Sequence, residues 1–102
     1  MELRLDQHDH YSDEHVVSEI LHSCQDMWVI LINLRPGQML PSHASSSSVN
    51  LHVLSGECEL LNGCDWQPAS AGTLRFYPPS EPHGIRTTDA PASILATLAP
   101  RP

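Results

Sequence analysis

A chain of 102 residues that is 40% hydrophobic supports one modest core, so a single domain spanning residues 1–102 is expected. Twelve acidic residues against five basic ones leave a net charge of −7, a balance poorly suited to neutralising phosphates, which argues against nucleic-acid binding. All the basic residues are arginines (Arg4, Arg35, Arg75, Arg86 and Arg101), which excludes Schiff-base chemistry through a lysine.

The opening "MELRLDQHDH" has no apolar h-region, and no apolar run approaches the length of a membrane span. Cys24, Cys58 and Cys64 lack CxxC spacing and fit free thiols in a reducing compartment, so a cytoplasmic location is expected, with no membrane partner. Carboxylates and imidazoles alternate through "DQHDHYSDEH" in the manner of a metal tract. So polar a segment buries too little apolar surface to fix a ligand geometry, and residues 1–15 read as a solvated N-terminal arm. Residues 12–23 admit two readings. Ser12 is placed to cap a helix bearing Val16, Val17, Ile20 and Leu21 on one face, while His15, Val17, Glu19 and Leu21 alternate as in a strand.

From Met27 the pattern is strand and turn. "MWVILINL" is apolar on both parities, as in a strand buried on both faces, and is a candidate for the contact face of a homodimer. "RPGQ" closes it with a Pro-Gly turn. "VNLHVL" places Val49, Leu51 and Val53 on one face and Asn50 and His52 on the other; "SGE" reads as a turn before a second strand, "ECELL". "NGCD" is a hairpin signal, because Asn-Gly tolerates the positive φ that two-residue β-turns require. "TLRFY", "HGIRT" and "ASILATLA" supply further short strands, the first stopped by "PPSEP". Short strands at this spacing, with no long helical period, indicate an antiparallel sandwich or barrel.

Two stretches, "PGQMLPSHASSSSVNLHVLSGE" and "AGTLRFYPPSEPHGIRT", resemble the two sequence motifs of the cupin superfamily, RmlC-like jelly rolls. In the first motif (residues 35–57), Gly37 is followed by five residues and His43, and Gly56 stands at the closing glycine. In the second (residues 72–87), Gly72, Pro78 and His83 fall at matching spacings, with Ser80 in place of the inner glycine and Thr87 in place of the terminal asparagine. The resemblance implies an all-β fold, a double-stranded β-helix or jelly-roll barrel. It also implies a metal site of three histidines and a glutamate. His43 and His83 keep the first and last ligand positions, but Ser45 stands at the second histidine and Val49 at the glutamate. Serine is a weak ligand and valine none, so the resemblance implies at most a weakly held divalent ion (Fe, Mn, Ni or Zn) at His43 and His83.

The candidate ligand pocket is therefore His43, Ser45, Val49, His83 and Cys58, the last because it shares a face with Leu60 and its thiolate is a strong ligand; a packed core thiol is the competing reading. The two imidazoles also have a structural alternative, bonding a carbonyl and filling space. Three functions follow. A cupin pocket holds a small molecule without turnover; or a metal-dependent dioxygenase or isomerase acts on a small organic acid or sugar; or a metal-free isomerase uses His83 as base and Tyr77 as acid.

Overall fold

The computed structural model describes residues 1–102. It holds eight strands and one short 3-10 turn, Leu5–Gln7. The strands are β1 (Val17–Ser23), β2 (Trp28–Leu34), β3 (Met39–His43), β4 (Ser48–Asn62), β5 (Asp65–Ser70), β6 (Leu74–Tyr77), β7 (His83–Arg86) and β8 (Ala92–Ala99). Every pairing is antiparallel and the path runs β1-β2-β8-β4-β7-β3, with β5 and β6 also paired to β4. This curled sheet is the double-stranded β-helix that the two motifs implied. The segment 12–23 forms no helix: Val17–Ser23 is the strand β1, and the residues before it are irregular. No helix is long and apolar enough to cross a membrane.

The strand β4 departs from expectation. "SGE" does not turn the chain; the strand continues through it for 15 residues. Its first half pairs with β6 and β8, its second with β5 and β7, so one strand serves both sheets. The passage between them is a register shift from Val53 to Ser55, followed by Gly56 at φ +80°. A Cβ on Gly56 would lie 1.9 Å from the Pro91 carbonyl oxygen, so no other residue fits the bend.

The apolar faces of these strands meet in one core, with Leu34, Val53, Leu60 and Ile94 fully buried. From Leu31 to Leu34 both faces of β2 are covered by this chain, while Trp28, Val29 and Ile30 are only partly buried. Ile32 and Leu34 face the core, while Leu31 and Asn33 on the outer side lie under the N-terminal arm. The arm is polar, as its composition requires, yet it is docked rather than free. The Asn33 side-chain amide donates to the carbonyls of His8 (3.1 Å) and His10 (3.0 Å), and its Oδ1 accepts from the Ser93 hydroxyl at 2.6 Å. His8 Nδ1 meets Glu19 Oε2 at 2.6 Å, and Gln38 donates to the Ser12 carbonyl at 2.7 Å. The buried Asn33 is thus satisfied by the arm it holds down.

Candidate functional site

The two motif histidines come together because β3 and β7 are neighbours, with His43 and His83 directly opposite in register. Their ring centroids stand 4.1 Å apart in an edge-to-face arrangement. His83 is buried at 5% exposure, whereas His43 is exposed. Each ring is anchored to the chain two residues before it: His43 Nδ1 lies 2.9 Å from the Pro41 carbonyl oxygen, and His83 Nδ1 lies 3.3 Å from that of Glu81. Burial, then the neighbouring His43, pulls the His83 imidazole below its ordinary pKa, and the Glu81 carbonyl partly opposes this.

The pair sits in the wall of a cavity of about 450 Å³, within the range of small-molecule sites. Of its 16 lining residues 10 are hydrophobic, and none is Asp, Glu, Lys or Arg. β2 and β8 supply one wall, since Trp28 opposes Leu98 and Ile30 opposes Ala96. His43, Ser45, Val49 and His83 all line this space.

Cys58 does not. It is buried in the core and borders a different, polar depression with Glu57, Glu59 and Asp89. Nine residues of strand separate it from Val49, roughly 30 Å of extended chain, so a shared inward parity does not give a shared place along the barrel. Burial, with Glu59 beside it, pushes its thiol pKa up to about 11, the behaviour of an inert core cysteine. Tyr77 is also directed elsewhere. Its hydroxyl donates to the Leu61 carbonyl at 2.7 Å and it does not line the cavity, so it is not placed as the acid partner of His83.

Two motif departures acquire a physical account. Ser80, at the inner glycine position, is the one non-glycine residue with positive φ (71°), and its amide donates to the Ser45 carbonyl at 2.8 Å. The residue at that position must turn left-handed, which is why the motif prefers glycine there. Thr87, at the asparagine position, is buried; its hydroxyl reaches the Arg35 carbonyl at 2.6 Å and accepts from the Gln38 amide at 3.1 Å. It ties the end of the second motif to the start of the first.

The metal set of the resemblance does not fit these residues. No group of three or more His, Cys, Asp or Glu is close enough to hold an ion, and Val49, 3% exposed, puts an isopropyl group where the carboxylate would stand. Two imidazole nitrogens remain, short of the three protein donors of an ordinary catalytic site. The cavity walls from Trp28, Ile30 and Leu98 were not singled out by sequence, although the doubly apolar pattern of β2 was the signal for Trp28 and Ile30.

Fold and cavity together define the class: a double-stranded β-helix barrel, closed at one end and open at the other onto a mostly apolar chamber. The sequence profile of the family described as "Cupin domain" matches residues 30–98. The chain therefore belongs to the cupin family. It is similar to an RmlC-like cupin protein from Desulfovibrio desulfuricans, at 33% identity over 89% of this chain and 88% of that one, with a TM-score of 0.80. A protein from Thermus thermophilus is 30% identical over 100% of both chains, with a TM-score of 0.90. The DMSP lyase DddQ of Ruegeria pomeroyi is 22% identical over 95% of this chain and 50% of its own, with a TM-score of 0.76; it shares the fold. No curated protein matches the chain.

Proposed function

We propose that this cupin binds a small molecule in the barrel cavity through apolar contact and the His43–His83 pair, without a tightly held metal. The observation that carries this reading is a chamber of about 450 Å³ with 10 hydrophobic lining residues and two adjacent imidazoles. Apolar walls supply most of the binding free energy, and the few polar groups orient the occupant. Titration with toluene, followed through the methyl resonances of Ile30, Val49 and Leu98, tests the reading. Saturable shifts at these methyls are expected, and the shifts at Ile30 and Val49 are expected to vanish when Leu98→Trp fills the open end. Shifts spread over the surface, or unchanged in the variant, would count against it.

The second reading, a metal-dependent dioxygenase or isomerase on a small organic acid or sugar, keeps one point in its favour. Both imidazoles bond a carbonyl through Nδ1, the orientation that metal-ligating histidines use. Two such donors account for weak, exchangeable binding of Fe, Mn, Ni or Zn and no more. Untagged protein is expected to contain these metals well below one equivalent. Stoichiometric metal lost in His43→Ala would reverse the order of the two readings. A homodimer belongs to the same proposal, supported by Phe76 (70% exposed) and Ile20 (54% exposed) on the outside of the barrel.

A further inference from the structure

We propose that the cavity selects an uncharged, largely apolar molecule that presents a hydroxyl or N–H group to His43 and His83, and discriminates against carboxylates of the same shape. This rests on the reading of the cavity as a small-molecule site and specifies what that site accepts.

Two anchoring bonds place the ring protons. A carbonyl oxygen only accepts, so the nitrogen facing Pro41 at 2.9 Å and the nitrogen facing Glu81 at 3.3 Å each carry the ring proton. A neutral imidazole has one donor and one acceptor. With Nδ1 committed as donor in both rings, both outer Nε2 atoms are left as acceptors. His43 and His83 are register partners with centroids 4.1 Å apart and both line the cavity, so the two acceptors belong to one site.

What surrounds them sharpens the choice. No lining side chain carries a formal charge, and the backbone carbonyls have already taken the ring N–H groups. A carboxylate placed there would bring its own lone pairs against those of Nε2, with no cation to offset its desolvation. The other side-chain donors in the lining are the Trp28 indole N–H and the hydroxyls of Ser18, Ser45 and Ser46, all of them neutral. A hydroxyl or N–H on the ligand instead supplies the donor that the imidazoles lack, while its carbon skeleton covers Trp28, Ile30 and Leu98.

The test uses the full-length protein, treated with chelator at a pH where imidazole is neutral, and four matched probes: phenol, anisole, benzoate and toluene. Binding is read from the cavity methyl resonances. Phenol is expected to bind roughly three- to tenfold more tightly than anisole or benzoate, the factor of one net neutral hydrogen bond. In the His43→Leu, His83→Leu double variant the preference for phenol over anisole is expected to disappear. If the double variant does not fold, the wild-type ratios alone decide. Anisole equal to phenol, or benzoate tightest, would overturn the proposal while toluene binding leaves the cavity reading intact. If no probe, toluene included, shifts the cavity methyls, both readings fail together.

Discussion

The two ends of the barrel are built from the same strands but to different ends. On β2 the inward face runs from Trp28, half-buried and lining the cavity, to Leu34, fully buried in the core. On β4 the inward residues run from Val49 at the cavity wall to Leu60, which has no exposure at all. Along each strand the hydrophobic pattern is continuous; what changes is whether the opposing side chains meet. At the closed end they interdigitate, and that end holds the fold. At the open end they stand apart and leave about 450 Å³, with the histidines in its wall. A fold can carry a chamber of this size because the closed end supplies the stability.

The largest effect that can break this comparison is a matched pair of truncations. Leu60→Ala is expected to cost about 2–5 kcal/mol, because the lost contacts leave a void that a packed end cannot close. Leu98→Ala, at the cavity wall, is expected to cost clearly less, on the order of 1 kcal/mol, since its side chain is only partly buried and the space it leaves opens into an existing cavity. Urea denaturation of the two variants beside the parent reads both values. Equal losses would mean that the open end also carries the fold.

Much of this was legible in the sequence, and the limits are instructive. Parity gave the inward face of the first half of β4, because alternation fixes direction in a strand, and the resemblance to the two cupin motifs put His43 and His83 in one site. Position along a strand was harder to read. Cys58 has the right parity and the wrong end, and parity is silent on distance. "SGE" has the composition of a turn, yet the chain continues through Gly56, because a glycine allows a bend within a strand as well as a reversal between two. The arm was legible as polar but not as docked. Its central hold is a buried side chain, Asn33, whose need for partners is invisible until the backbone of His8 and His10 is seen above it.

A smaller effect sharpens the comparison through pH. Burial lowers the His83 pKa in the folded chain below its ordinary value of 6.5. As the pH falls through 6.5 the unfolded chain takes up this proton before the folded one does, so the contribution is complete above 6.5 and is lost toward the lower folded value. His83→Gln is expected to remove that part of the slope, seen as the difference between the two proteins' urea midpoints from about pH 8 down to the onset of carboxylate titration. An unchanged slope would place His83 in effective contact with water. That would contradict a walled open end.

The smallest expected effect lies at Ser80, where the loop before β7 meets the serine run. A left-handed φ of 71° costs an L-residue about 1–2 kcal/mol, while glycine adopts it freely. Glycine also loses more freedom on folding, which takes back part of the gain. Ser80→Gly is therefore expected to stabilise the protein by about 0.5–1 kcal/mol in a urea titration. The Ser45 carbonyl is bonded by the backbone amide of residue 80, not its side chain, so the substitution should leave the cavity methyl shifts in place. A destabilised Ser80→Gly would mean that the serine side chain holds the loop itself. The open end would then depend on its rim, rather than on the packed end, for its shape.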